Sequence, residues 1–600
     1  MSDFSRTRWW VLAAALVTFM TGLGSTRLWD EDEGWFAATA AEMHRRDEWI
    51  VPWHNGQVFT HKPPLMYWGM RLGFATFGVN EWGARIGSAL FGTATALLTC
   101  WIGCRLFARS VGLWAGLAMA TCIMFGVVSR ASTADAYLVF FMTLVMAAYI
   151  RWTPGFQTND AVETGLSRWL PARWSGFVAM YAAMGLAVLV KGPIGILLPG
   201  TGIGLFVLLQ LTRGEVRWLP RGLAIARWIP RVFWEMRPIT AIATVVVVAG
   251  WWFGAVEART GSGFIAEFLG VHNVQRFLTP MEKHSGPIVY YIPVVWIGFF
   301  PWSLFLIPSV VSVWRRLRFR QDEAGHAVEK DQAAWRFAVC WFAIIFVFFS
   351  LAKTKLPNYV LPCYPPLALL VGGCLERWLR EPRENWRFWS RWAFGSLAGV
   401  GVAFLVLLPL LLLATSHGEP WLVRLGVQST LVADLLPVAW VGVPALLGGA
   451  ACFWLAERGQ AERMLAVFSV TAVIFSLSIL SGAARHIDRH QTSATLAECL
   501  QPNADGTPVP VAAFRLNSPT LVYYANQPVP RISRPHEIVQ HLATPGCLLV
   551  TTDEGWHQLD EDIRHKLETV RELPRFPIEG KVMVLRRRTE VTATVAEVIH

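Results

Sequence analysis

The stretch WSGFVAMYAAMGLAVLV at residues 174–190 contains no charged side chain, and an equally uncharged run at residues 192–212 follows it after the single Lys191. A helix that crosses a bilayer needs roughly 17–25 apolar residues, and both runs meet that length. Of the 600 residues, 54% are hydrophobic and only 16% are charged, whereas soluble domains carry about 25% charged residues. This composition excludes a disordered chain and a coiled coil, and it predicts a polytopic α-helical membrane protein.

Thirteen apolar runs are long enough to be candidate spans. The first of them is open to a second interpretation, a cleaved signal peptide, because small residues follow it. In either case we expect residue 30 onward to lie outside the cytoplasm. The candidate spans are 9–26, 86–104, 111–129, 133–150, 174–190, 192–212, 238–256, 288–314, 335–352, 361–375, 392–414, 432–456 and 464–484.

Arginine is distributed asymmetrically between the loops. Arg6 and Arg8 precede the first span, which predicts a cytoplasmic N-terminus by the positive-inside rule. Alternate loops are then basic, so the net charge of +11 marks cytoplasmic loops and not a nucleic-acid surface. An odd number of spans places the C-terminus outside. The basic loops contain Arg105 and Arg109, Arg151 to Arg173, Arg213 to Arg237, Arg315 to Arg320, Arg377 to Arg391, and Arg458 with Arg463.

Two domains are expected. Residues 1–484 form the membrane domain, and residues 485–600 form a small soluble α/β domain outside the cytoplasm. In that domain Cys499 and Cys547 either form a disulfide or remain two thiols, since the sequence does not favour one alternative. The membrane domain has outer loops at 27–85, 257–287 and 352–361, and the soluble domain has predicted strands at 509–514, 547–550 and 581–588 and predicted helices at 518–526 and 554–568.

The first outer loop holds four consecutive carboxylates, DEDE at residues 30–33, next to aromatic residues typical of a membrane interface. Acidic residues at a helix N-terminus are favoured by the helix dipole, which explains about two of the four. It does not explain His61 and Lys62, which precede two prolines in the same loop. A functional site is therefore predicted here.

The other outer loops add cations and polar groups. His272 and Arg276 are spaced i, i+4, so on a helix they share one face. The loop AKTKLPNYVLP at residues 352–362 contributes Lys355 and Tyr359, which are also compatible with snorkelling interface anchors. Two short turns contribute Asp135 and Lys191.

These residues share one predicted membrane face. The cations can neutralise a phosphate or pyrophosphate, and the carboxylates can orient or deprotonate a hydroxyl. Apolar helices around the site suit a lipid tail. The combination predicts a lipid-phosphate substrate handled at the outer face.

Several of these stretches carry a resemblance to a known family. They are similar to the first periplasmic loop and later motifs of the bacterial polyprenyl-phosphate-sugar glycosyltransferases, which have the GT-C fold and belong to the protein O-mannosyltransferase superfamily. Within it the chain resembles the 4-amino-4-deoxy-L-arabinose lipid A transferases over most of residues 1–380. The matching stretches are DEGWFA (32–37), WIVP (49–52), HKPPL (61–65), YW (67–68), HNVQRF (272–277), GFFPW (298–302) and residues 352–366.

The resemblance implies residue roles. Asp32 matches the catalytic acidic residue of the first loop, and Lys62, Arg276 and Tyr359 match the groups that hold the lipid-linked phosphate. The same outer face adds further candidates, which are the carboxylates Glu33 and Asp135 for catalysis and the amines Lys191 and Lys355 for the phosphate.

One position departs from the family pattern. The residue before the lysine is usually a glutamate that joins a metal site with a loop histidine, whereas here it is His61. His61 and His272 are the candidate ligands for a divalent metal such as zinc. We expect no cofactor to be required, because the cations already supply positive charge.

The resemblance implies a monomeric enzyme of the bacterial inner membrane with its site and C-terminus in the periplasm. It transfers a sugar from undecaprenyl phosphate to lipid A or another envelope acceptor, with inversion, and contacts membrane lipids but no nucleic acid. Protein O-glycosylation by the same chemistry is an alternative. A flippase would need ionisable residues near span midplanes, and a non-enzymatic scaffold would leave the charged clusters unexplained.

Overall fold

The computed structural model divides the chain into two compact units. The membrane unit comprises residues 1–23, 60–78 and 82–484, and the loop–sheet unit comprises residues 24–59, 79–81 and 485–600. Glu31, Arg213, Arg217, Arg320 and Arg383, which the sequence interpretation used, lie outside the described residues. The structure describes residues 2–30, 32–157, 165–212, 218–261, 263–280, 284–318, 326–380, 386–416, 435–489, 491–500, 508–544, 546–575 and 580–588.

The membrane unit is built from long apolar helices. Over the described ranges, ten helices are long and apolar enough to cross a membrane, and a pair of segments that meet at 113°, Ile288–Gly298 and Trp302–Leu317, makes an eleventh if it is one span. The predicted polytopic helical fold is thereby confirmed. The ten are Glu81–Leu106, Asp135–Trp152, Trp174–Lys191, Ile194–Leu211, Pro238–Thr260, Asp331–Leu351, Pro357–Arg380, Trp386–Leu411, Leu436–Glu457 and Ala461–Asp488.

The remaining two predicted spans are helical but do not form a full-length apolar span. The span expected at 111–129 is broken at Cys122 into Arg109–Thr121 and Ile123–Val128, because Cys122 adopts extended backbone angles. The first span is the helix Ser2–Met20, which begins with charged residues. Further helices of this unit are Leu65–Phe77, Trp218–Glu235 and Phe264–Leu269.

The loop–sheet unit contains a five-stranded sheet. Its strand order is Arg531–Ile532, Val511–Phe514, Leu548–Thr552, Lys581–Arg587 and Leu567–Pro574. The first three strands are parallel to one another, and Lys581–Arg587 is antiparallel to both of its neighbours. The apolar side chains Phe514, Leu549 and Leu585 are 1% exposed or less and form part of its core. The helices of this unit are Asp32–Arg45, Thr492–Cys499, Pro519–Ala525, Pro535–His541, Asp553–His557 and Glu561–His565.

Residues 24–59 cluster with this sheet, although composition alone had grouped them with the membrane domain. The Asn55 side chain donates to Val529 O at 2.9 Å and accepts from Val529 N at 2.6 Å. The Tyr524 hydroxyl accepts from Leu28 N at 2.8 Å and donates to Glu81 Oε1 at 3.0 Å. These contacts join segments more than 400 residues apart in the chain.

The structure corrects one prediction about the soluble domain and decides between the two alternatives left open for its cysteines. The single helix expected over 554–568 is instead two short helices, Asp553–His557 and Glu561–His565, and Leu567 and Glu568 begin a strand that pairs with Arg587 and Arg586. Cys499 and Cys547 are both free thiols, and Cys499 is only partly buried.

The membrane sidedness predicted from the arginine distribution can be tested by cysteine labelling. We expect Thr544→Cys to react with a membrane-impermeant thiol reagent in intact spheroplasts and Glu462→Cys to react only after permeabilisation; both positions are exposed. The parent chain carries Cys104→Ser and Cys499→Ser, since these two native cysteines are not fully buried. The reverse labelling pattern would place every candidate site residue in the wrong compartment.

Candidate active site

A cleft of about 590 Å³ opens in the membrane unit and collects five of the predicted site residues. One wall is cationic and another is aromatic, so the cleft offers both charge and apolar surface. Its lining residues are Lys62, Lys191, Ile194, Phe268, His272, Asn273, Arg276, Phe277, Phe348, Phe349, Ala352, Thr354 and Tyr359.

Lys62 enters the cleft from the turn that precedes a helix. Pro63 and Pro64 follow it, and the helix begins at Leu65. A residue before proline is biased toward extended backbone, which keeps Lys62 outside the helix. The two prolines therefore explain why the lysine lies on a short turn at the cleft.

Lys191 is held by a largely buried ion pair. It is the last residue of the helix Trp174–Lys191, and its Nζ lies 2.6 Å from Asp135 Oδ1. Asp135 Oδ2 accepts from Asn358 Nδ2 at 2.8 Å, and Lys191 Nζ lies 5.1 Å from the centre of the Tyr359 ring. The network fixes the relative positions of two helices and the tyrosine loop.

Gly192 ends the lysine helix with a positive φ of 80°. A Cβ at this position would lie 2.7 Å from Phe268 Cζ and 3.3 Å from Asn273 Oδ1, and both residues line the cleft. Backbone conformation and close approach thus both require glycine.

His272 and Arg276 both line the cleft, consistent with the shared helical face expected from their spacing. The backbone over Gly270–Gln275 forms a π-helical turn, and α-helical geometry resumes at Arg276. Such turns occur often at functional sites. The His61 and His272 rings lie 4.2 Å apart between centroids.

The electrostatic field in this region is positive. Burial first, and then the charges of Lys62 and Arg276, lower the pKa of His272 to about 4. His272 is therefore neutral at physiological pH, while both cations act on the same volume. A site with this field favours an anion.

Lys355 has a different environment from the lysines of the cleft. It is 4% exposed, and its Nζ donates to Phe349 O, Ser350 O and Ala352 O at 3.3, 2.8 and 2.9 Å. Its pKa is lowered, mainly by burial and then by Lys353. The side chain satisfies carbonyls at the end of the helix His326–Leu351 and is not among the cleft-lining residues.

The acidic residues of the first loop belong to the loop–sheet unit and separate into distinct roles there. Asp30 Oδ1 accepts from Thr520 N at 3.1 Å and from Thr520 Oγ1 at 2.9 Å. Glu33 is buried and its carboxylate accepts from Trp29 N at 3.1 Å. Asp32 is exposed in the first turn of the helix Asp32–Arg45. Two of the carboxylates thus organise the loop backbone around Asp32.

Gly34 completes this arrangement. A Cβ there would lie 2.8 Å from Thr520 N and 2.9 Å from Thr520 Cγ2. The backbone after Asp32 therefore packs directly against the helix Pro519–Ala525.

Several residues of the cleft and its hydrogen-bond network were missed from the sequence. Asn358 and Asn273 were not selected, although both stand beside selected residues in quoted motifs. The phenylalanine wall, Phe268, Phe277 and Phe348 among it, carried no signal apart from its apolar context. Only the contact of Asn358 with Asp135, 223 positions away, reveals its role.

The donors present do not fit a metal ion. No group of three or more His, Cys, Asp or Glu side chains within the described residues is arranged to hold one. His61 and His272 stand beside two cations, which disfavour a further positive charge. We therefore derive no catalytic step through a metal.

Two histidines with lowered pKa, the buried His54 and the partly buried His272, predict acid sensitivity. His272 and His54 both have a pKa lowered to about 4, the latter by burial and then by Arg531. The unfolded chain binds more protons between that value and the ordinary pKa of about 6.5, so stability falls as pH drops through this window. Thermal unfolding of detergent-purified protein from pH 8 to 4 measures the loss. His272→Gln should flatten the dependence and the exposed His536→Gln should not; equal slopes in all three proteins would contradict the assignment.

Comparison with known proteins agrees with this geometry. Residues 41–257 match the family model described as dolichyl-phosphate-mannose-protein mannosyltransferase. A relative from Enterobacter sp. (strain 638) is 25% identical over 401 residues, 66% of this chain and 65% of its own, and one from Sodalis glossinidius is 28% identical over 59% and 57%. Both are named as undecaprenyl phosphate-alpha-4-amino-4-deoxy-L-arabinose arabinosyl transferases. The chain spans less than two thirds of the length of these curated relatives.

A solved structure extends the likeness to nearly the whole chain. ArnT from Cupriavidus metallidurans, bound to undecaprenyl phosphate, superposes with a TM-score of 0.70 at 23% identity and covers 96% of this chain and 97% of that one. The resemblance expected from the motifs is thereby confirmed. The chain has the fold of ArnT, and its residues 41–257 match the dolichyl-phosphate-mannose-protein mannosyltransferase family model.

Proposed function

We propose that the protein is a glycosyltransferase that takes a sugar from a polyprenyl-phosphate donor, of the undecaprenyl type, at the periplasmic face of the inner membrane. The observation that carries the proposal is the cleft that combines Lys62, Lys191 and Arg276 with a phenylalanine wall. A lipid phosphate needs both surfaces, cations for its head and apolar side chains for its first isoprene units. The family domain and the names of the relatives support the same class of reaction.

In the proposed reaction the sugar C1–oxygen bond to the lipid phosphate breaks, and a bond from the acceptor oxygen to C1 forms on the opposite face of the ring. The stereochemistry inverts, and the lipid phosphate leaves with the bonding electrons. Lys62 and Arg276 stabilise the charge that develops on this phosphate. Tyr359, placed beside Lys191, adds a hydroxyl group to the same cleft.

The acceptor determines what Asp32 has to do. A phosphate of lipid A is already ionised, so a carboxylate there orients the acceptor or the amine of the sugar. A hydroxyl acceptor must lose its proton, which requires a general base. The assignment of Asp32 to either task follows from the resemblance of its motif.

Protein O-glycosylation is the second candidate, favoured by the description of the family model that matches residues 41–257. The donor chemistry is the same, and only the acceptor differs. Mass spectrometry of lipid A and of envelope proteins, from cells with and without the chain, separates the two. A mass gain of an aminopentose on lipid A supports a lipid acceptor, whereas glycosylated peptides support a protein acceptor.

Removing one cleft cation should slow transfer strongly. We expect Lys62→Ala and Arg276→Ala each to reduce turnover by about 10²–10³-fold, because each removes charge stabilisation from a site of low dielectric constant. Asp32→Asn should lower turnover while leaving folding intact. Turnover is measured with purified enzyme and a lipid-linked sugar donor.

Arg463→Ala is the matched control, since Arg463 is exposed and its guanidinium contacts only Gln460 among the hydrogen bonds described for it. It should retain wild-type turnover. Near-normal transfer by well-folded Lys62→Ala and Arg276→Ala proteins would overturn the phosphate-binding assignment of the cleft. Normal transfer by Asp32→Asn would remove Asp32 from the mechanism.

Transfer should also survive prolonged chelation, because the cleft carries its own cations. The measurement compares turnover of the purified enzyme before and after dialysis against EDTA. Loss of transfer on chelation, recovery with zinc, and absence of that response in His61→Ala would together show a metal-dependent enzyme and contradict this prediction.

A further inference from the structure

We propose that a second cavity of the membrane unit binds the headgroup of an anionic phospholipid, independently of the transferase reaction. This basic cavity has a volume of about 530 Å³. None of its lining residues belongs to the cleft described above. They are Phe107, Ala108, Val111, Arg316, Asp331, Trp335, Gly373, Glu376, Arg377 and Arg380.

The basic cavity and the cleft lie at opposite ends of the same two helices. In His326–Leu351, Phe348 lines the cleft while Asp331 lines the basic cavity. At 1.5 Å per residue the two positions are about 25 Å apart along the helix. The helix Tyr364–Arg380 begins just after Tyr359 of the cleft and ends at the cavity. This separation approaches the hydrocarbon thickness of a bilayer, about 30 Å, so the cavity opens near the opposite membrane surface.

The charge balance of the basic cavity is positive. Among the described residues that line the cavity, three guanidinium groups face two carboxylates, with Arg316 paired to Asp331 and Arg380 paired to Glu376. Arg377 supplies the third guanidinium. Guanidinium groups bind phosphate oxygens in bidentate geometry, and basic pockets between membrane helices are typical sites for anionic lipid headgroups.

Polar and apolar surroundings favour a lipid over a free anion. Trp335 is 3% exposed and lies beside the Asp331 carboxylate in the lining of the cavity. Phe107 and Val111 give the cavity an apolar side. On the neighbouring helix Leu306–Arg318, Val310 and Trp314 are 67% and 53% exposed. A phospholipid presents a phosphodiester to the arginines and acyl chains to such surfaces.

Native mass spectrometry of the detergent-purified full chain tests the proposal. The probes are phosphatidylglycerol and cardiolipin, with phosphatidylethanolamine as the zwitterionic comparison. We expect the wild-type protein to retain the two anionic lipids at least about tenfold more tightly than the zwitterionic one. Equal retention of the three lipids would overturn the proposal.

Variants place the binding at this cavity. Arg377→Ala combined with Arg380→Ala should weaken retention of the anionic lipids by about tenfold or more. The control is Arg458→Ala combined with Arg463→Ala, which removes two exposed arginines predicted to face the same membrane side. Equal weakening by both double variants would show a general charge effect and contradict the assignment.

A gain-of-binding variant keeps the test informative if the double variant folds poorly. Glu376→Gln removes the carboxylate paired with Arg380, so it should tighten binding of both anionic lipids. Unchanged or weaker binding would contradict the proposal. Inorganic phosphate is the last probe, and here the thermal stability of the protein is measured. If phosphate alone raises the unfolding temperature as much as the anionic lipids do, the cavity is a free-anion site and the lipid assignment is overturned.

Discussion

The ion pair of Lys191 with Asp135 is the constraint on which the cleft depends. It lies at the junction of two membrane helices, and the side chains are only 14% and 7% exposed. Removing one partner of such a pair strands a charge in an environment that solvates it poorly. Asn358 and Tyr359 extend the pair to the loop that closes the cleft. The ammonium group of Lys191, which would help to bind a phosphate, therefore also connects the helices and the loop that form the cleft.

The positions of the helices were predictable because the length of an apolar run is a local property of the chain. Local patterns did not reveal the break at Cys122, which depends on backbone angles. The role of Lys355, whose amine satisfies three carbonyls at a helix end, was also missed. For Lys355 a signal existed, since the lysine follows the last helical residue by four positions. A cation at that distance commonly caps a helix C-terminus.

The candidate site was only partly predictable for a different reason. Lys62, Arg276 and Tyr359 were selected because their residue types carry charge or a hydroxyl, and the fold brings all three to one cleft. The different roles of the first-loop carboxylates Asp30, Asp32 and Glu33 could not be predicted from the sequence. The role of Asp30 depends on its hydrogen bond with Thr520, which is 490 positions away, and no local sequence pattern predicts such a contact.

Glycine shows how long-range packing acts on these local roles. Gly34 is required because Thr520 approaches its α-carbon, and Gly192 because Phe268 and Asn273 do so while the helix turns to a positive φ. In both places the residue with no side chain stands within two positions of a charged candidate. The two glycines therefore allow the close backbone packing beside Asp32 and Lys191 that a residue with a Cβ would prevent.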